Sequence, residues 1–136
     1  MSYILWVVLD KDIQIKIGRL GRINFKKGFY LYVGSAKKNF KPRIERHLLK
    51  KKKIFWHIDY LLCAKYTQIK DIWLSVKTEE CQIAKALNQQ GYSFINRFGS
   101  SDCRCSSHLF FIKQDINRIK NLLERSGFKN ADKNSF

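Results

Sequence analysis

Gly28-Phe29-Tyr30-Leu31-Tyr32-Val33-Gly34-Ser35-Ala36 decides how this chain is read, and the same unit runs on through Arg43 and Arg46 to His47. The apolar and aromatic run predicts a buried strand, Gly34 a tight turn, and the residues beyond it a basic helix. Asn39 is placed to cap that helix, and Pro42 is tolerable because it falls in the first turn. Such a unit brings phenol hydroxyls, a close backbone approach and guanidinium groups together, which is what a phosphodiester-handling site requires.

Outward from this unit, the charge is the strongest compositional signal. Twenty-seven Lys and Arg stand against 11 Asp and Glu in 136 residues, a formal charge of +16. An excess of that size favours a polyanionic partner, nucleic acid before an anionic membrane. From Lys37 to Lys53 there are nine basic residues and only Glu45 to oppose them. Lys37, Lys38, Arg46, Lys50, Lys51, Lys52 and Lys53, with Arg19 and Arg22 in the preceding Gly18–Arg22 segment, are the expected phosphate-tracking cations, and Arg43, His47 and Lys50 share one helix face. With 45% apolar and 14% aromatic residues, the chain has enough material for one core. The longest apolar run, Ile4–Leu9, is far too short to span a membrane, so the expectation is a soluble, cytoplasmic protein that makes no membrane contact.

Tyr3–Leu9 reads as a central strand, apolar on both faces. Ile13, Ile15 and Ile17 alternate with polar residues as a second strand, and a hairpin between these two is the simplest topology. A helix is expected near Phe55–Leu62, a strand over Gln68–Val76, and a helix from Glu79 to about Gln89 capped by Thr78. Trp56 and Tyr60 read as core rather than as base-stacking platforms, and His57 and Asp59 cannot face each other on a helix. His108–Ile112 is a last strand, and Asp115 is expected to cap a last helix that stops at Gly127. The predicted fold class is α/β in the α+β sense: one domain over residues 1–128, a mainly antiparallel mixed sheet flanked by helices. Residues 129–136 are expected as a disordered tail.

Two clusters carry chemistry. Glu80 begins a stripe shared with Ile83, Ala84 and Leu87, and a carboxylate there is costly unless paired or holding a metal. Cys103, Cys105 and His108 supply three metal-type ligands, but a closed zinc site needs four. Their spacing is also short, so a turn satisfied by its own side chains is the favoured reading. The cysteines are expected as reduced thiols.

Taken together, Tyr3, Tyr32-Val33-Gly34, Arg43, His47 and Glu80 resemble the ordered motifs of the GIY-YIG nucleases. The chain is more closely similar to a small, mostly archaeal subfamily of unknown function that also occurs fused to endonuclease III-type glycosylases. That likeness is carried by Tyr30–Ala36, Arg46-His47, Trp56–Leu62, Glu80-Cys81 and Phe98–Phe110. One departure is that the glycine normally preceding the first tyrosine is replaced, the motif reading Met1-Ser2-Tyr3. Another is a long spacing between the two tyrosine motifs. The resemblance implies a metal-dependent endonuclease that hydrolyses DNA phosphodiester bonds in repair or in processing structured DNA. Glu80 would hold one Mg2+ or Mn2+, and Tyr3 would be general base or water-positioning group with Tyr32 assisting. Arg43 would be the transition-state cation, and His47 would share a proton or orient Tyr3. Tyr30 is two residues from Tyr32 on the same face and is an alternative for its role. A non-catalytic nucleic-acid-binding module, or a subunit recruiting a DNA-repair partner, is the competing class.

Overall fold

The computed structural model describes residues Met1–Phe136 and is built around β1 (Ser2–Leu9). Because β1 is apolar on both faces, it lies at the interior of a sheet and not at an edge. It pairs antiparallel with β4 (Gly28–Ser35) on one side and β5 (Thr67–Ser75) on the other. With β6 (Ser93–Phe94), β7 (Leu109–Ile112) and β8 (Lys129–Ala131), the antiparallel sheet has six strands in the order β6-β7-β4-β1-β5-β8. The predicted class, a small α+β domain with an antiparallel sheet flanked by helices, is the observed one.

Strand alternation divides the core into two layers. Tyr3, Leu5, Val7 and Leu9 of β1, with Tyr30 and Tyr32 of β4, pack under α1 (Lys41–Leu48) and α2 (His57–Leu62) through Ile44, Ile58, Leu61 and Leu62. Ile4, Trp6, Leu31 and Val33 face the other way, against Ile83, Ala84 and Leu87 of α3 (Glu80–Gln89) and Ile119 and Leu123 of α4 (Ile116–Arg125). Each fully buried side chain of this size contributes about 1.5–3 kcal/mol.

Several expectations are corrected. The strand starting at Ile13 does not pair with β1. As β2 (Ile13–Lys16) it forms a separate hairpin with β3 (Arg22–Phe25), because its wet face suits the periphery while both edges of β1 are taken. Gly34 is not in a turn. It lies within β4, opposite Tyr3, and a side chain there would place Cβ within 2.3 Å of the Tyr3 ring. The need for glycine is steric, since the Tyr3 ring crosses its backbone. Residues 129–131, expected as part of a tail, form β8 against Ile72–Leu74 of β5.

The caps also differ in detail. Asn39 Oδ1 accepts from the Lys41 backbone N–H at 2.8 Å, as expected, although Phe40 is the formal cap. Thr78 lies one residue short of its predicted cap role: Glu79 caps α3, its own N–H held by Gln82 Oε1 at 2.8 Å. Asp115 occupies the α4 cap with φ of 67°, and its side chain accepts no capping hydrogen bond. Gly127, with φ of 90°, ends α4 as predicted.

Candidate functional site

Four separate segments deliver the five candidate catalytic residues to one end of the sheet. Tyr3 projects from β1 across Gly34, and its hydroxyl lies 2.6 Å from Nε2 of His47 on α1. Tyr32 of β4 stands beside the same imidazole, ring centres 6.1 Å apart. Arg43, one helical turn before His47, donates to the Ser35 carbonyl at 3.0 Å and stacks its guanidinium 4.4 Å from the centre of Trp56. Glu80 opens α3 with its side chain 33% exposed, so with Arg43 it forms the partly open side of the group. Tyr30 is taken elsewhere: its hydroxyl donates to the Lys26 carbonyl at 2.7 Å, and its ring packs on Phe25 and Phe111.

The electrostatics follow from burial. Tyr3, Tyr32 and His47 are all buried. Desolvation pushes the Tyr3 phenol well above its usual range, with the Arg43 charge opposing the rise, and it pushes Tyr32 up as well. Desolvation also holds the His47 imidazole down at about 3, helped by the Lys52 charge. At neutral pH the cluster is therefore a neutral phenol joined to a neutral imidazole, and Nδ1 of that imidazole has no partner. Burial thus outweighs the neighbouring Arg43 guanidinium at Tyr3.

The basic stripe separates into two groups. Arg46 pairs with Asp59 through two hydrogen bonds of 2.8 Å, and the buried Asp59 also accepts from the backbone N–H groups of Phe55 and Trp56 at 2.9 Å. Arg46 also lies 4.5 Å from the Trp56 ring centre, so Trp56, packed against the core as expected, also carries both guanidiniums. Lys50 donates to the Ala64 and Thr67 carbonyls, and Lys52 to the Arg46 and His47 carbonyls at the end of α1. These three cations do structural work that the sequence does not reveal. Lys37, Lys38, Lys51 and Lys53 are exposed, as are Arg19 and Arg22 on the β2–β3 side. Phe55, 77% exposed and edge-on to Trp56, is an aromatic that the sequence reading assigned no role.

On the other side of Glu80 lies a second cluster. Nδ1 of His108 is 3.5 Å from Glu80 Oε2, and its Nε2 is 3.4 Å from Cys103 Sγ and 4.0 Å from Cys81 Sγ. With Cys105, the four ligand atoms all lie within 4.8 Å of one another, a group able to hold a metal ion. The fourth ligand that the Cys103–His108 stretch lacks is thus Cys81, invisible to spacing because 22 positions separate it from Cys103. The group that could hold a metal is thus this Cys/His cluster, and Glu80, the residue expected to be a metal ligand, stands beside it, 3.5 Å from His108.

No helix is long and apolar enough to cross a membrane. A search of curated proteins and one of solved structures each returned no match. The profile of a family described as "Domain of unknown function DUF123" matches residues 2–128, nearly the whole chain. The protein belongs to that family.

Proposed function

We propose that this protein is a metal-dependent endonuclease of the GIY-YIG type that hydrolyses DNA phosphodiester bonds, working in repair or in processing structured DNA. The observation that carries the reading is the convergence of Tyr3, Tyr32, Arg43, His47 and Glu80 on one end of the sheet, with Tyr3 and His47 joined at 2.6 Å. Proximity in sequence explains only the Arg43–His47 pair.

Glu80 fits a hard divalent cation: its carboxylate has no Lys or Arg partner and is partly open to water, and Mg2+ or Mn2+ binds through one or two carboxylates while keeping several waters. Such an ion, when bound, would offset charge on the phosphate and make a bound water more acidic. The chain's own residues supply the rest. Arg43 offers a planar donor for the non-bridging phosphate oxygens, held in direction by Ser35 and Trp56. Tyr3 positions the nucleophile through its hydroxyl, and His47, neutral at working pH, orients that hydroxyl through the 2.6 Å hydrogen bond to its Nε2. Lys37, Lys38, Lys51 and Lys53 follow the backbone on either side, and Phe55 is available to stack on an unpaired base.

A second reading, a nucleic-acid-binding module without catalysis, is favoured by one observation: Tyr3, Tyr32 and His47 are each at most 7% exposed. The test is cleavage of single-stranded, duplex, flapped and branched DNA with Mg2+ or Mn2+, comparing wild type with Arg43→Ala and Tyr3→Phe. The nuclease reading expects metal-dependent products on at least one substrate and a fall of about 10²-fold or more on losing Arg43. DNA binding without products on any substrate leaves the binding module.

A further inference from the structure

We propose that Cys81, Cys103, Cys105 and His108 hold a structural zinc ion in a closed tetrahedral site, and that Glu80 is its outer carboxylate, acting through the His108 ring. The donor set is the first argument. Three sulfurs and one imidazole nitrogen make a complete Cys3His set, which zinc takes as a closed structural site. Zinc binds thiolate at about 2.3 Å and imidazole at about 2.0 Å, so the edges of the tetrahedron measure roughly 3.5–3.8 Å. The observed separations from Nε2 of His108, 3.4 Å to Cys103 and 4.0 Å to Cys81, bracket that range.

The orientation of His108 is the second argument. With a carboxylate 3.5 Å from Nδ1, that nitrogen carries the proton, and the lone pair of Nε2 is directed at the thiols. This is the carboxylate–imidazole–metal arrangement that fixes the tautomer of a ligating histidine and raises its basicity. Neither a disulfide nor an ordinary polar turn requires it.

The loop itself is the third. Between the buried Phe98 and Ser107 the chain is made of small polar residues, which bury little apolar surface to order them. Arg97 steadies it from one side by donating to the Cys103 and Cys105 carbonyls at 3.3 Å and 3.1 Å. A metal bound to Cys103, Cys105 and His108 would cross-link this loop to the first turn of α3 through Cys81, with release of the three thiol protons. A cleft of about 440 Å³, lined by Cys81, Cys105, Lys85 and Arg104, opens beside the thiols and provides the way in. The centre does not depend on the nuclease reading: it would fix Glu80 equally in an enzyme or in a binding module.

The test is elemental analysis of the wild-type chain purified in reducing buffer, followed by exchange with Co2+ alone. The expected result is one zinc per chain and, with cobalt, thiolate charge-transfer bands together with the visible bands of a tetrahedral ion. Glu80→Gln should keep the cobalt spectrum while weakening zinc by about 10–100-fold in competition with a chelator. Stoichiometric iron, a mass two hydrogens low from a disulfide, or no metal and no tetrahedral cobalt spectrum would each overturn the site. Unchanged zinc affinity in Glu80→Gln would overturn the role given to the carboxylate. Because the main readouts use the wild-type chain, they do not depend on any cysteine variant folding.

Discussion

The chain has two buried histidines, His47 and His108, and they are set up in opposite ways. His47 is held in an oxygen-rich group, with Nε2 on a phenol and Nδ1 without any partner. His108 is engaged at both nitrogens, by a carboxylate and by thiols. A ring with an unmatched nitrogen has room to gain or lose a proton during a reaction, whereas a ring matched on both sides is built to stay fixed. Glu80 steadies the ring of His108, its Oε2 lying 3.5 Å from Nδ1.

The largest effect that would break this contrast is removal of the soft side. Stripping the Cys/His centre with a chelator should lower the melting temperature by roughly 10 °C or more, because structural zinc contributes folding energy directly and a few degrees correspond to 1 kcal/mol in a domain of this size. Calorimetry before and after treatment, with zinc re-addition restoring the transition, checks it. If the two sides are separate, adding Mg2+ alone should fail to restore it.

Next is the ion pair that supports the His47 side. Asp59 is fully buried and accepts from Arg46, Phe55 and Trp56, so Asp59→Ala leaves a guanidinium and two backbone donors without their acceptor. The expected loss is about 3–5 kcal/mol in urea unfolding. A smaller loss, of about 1–3 kcal/mol, is expected for Gly34→Ala, whose Cβ would meet the Tyr3 ring at 2.3–2.7 Å and force it away from His47. Perturbation of Tyr3 fluorescence or NMR signals, with the Cys/His side unchanged, would sharpen the contrast.

Smallest per unit of pH is the titration of His47. Its folded pKa, about 3, lies below the ordinary 6.5, so between those values the unfolded chain binds the extra proton. Stability should therefore fall as pH drops from 6.5 toward 3, with this residue contributing a slope of at most ~1.4 kcal/mol per pH unit. Unfolding curves at several pH values should show a shallower slope in His47→Gln than in wild type. Equal slopes would remove His47 as the source.

Much of this architecture is legible in the residues. The two-sided apolarity of Tyr3–Leu9 places a strand inside a sheet, and the 3-4 spacing of Ile83, Ala84 and Leu87 turns α3 toward the core. What is not legible is tertiary. Gly34 looks like a turn because the ring that requires it comes from position 3. Arg46, Lys50 and Lys52 look like phosphate ligands because their partners at Asp59, Ala64 and Thr67, and the carbonyls of α1 itself, are matched only after folding. The fourth metal ligand is hidden for the same reason. Short-range spacing finds Cys103, Cys105 and His108, but Cys81 is brought to them from α3 by the packing of that helix against the sheet.

The most direct measurement is the rate of Mn2+-dependent cleavage of a branched DNA by zinc-loaded wild-type protein, set beside zinc-loaded Glu80→Ala. The nuclease account predicts cleavage by the wild type and a fall of about 10²-fold or more in the variant, with zinc still bound. Equal rates in the two proteins, or no cleavage by either while both bind the DNA, would contradict it.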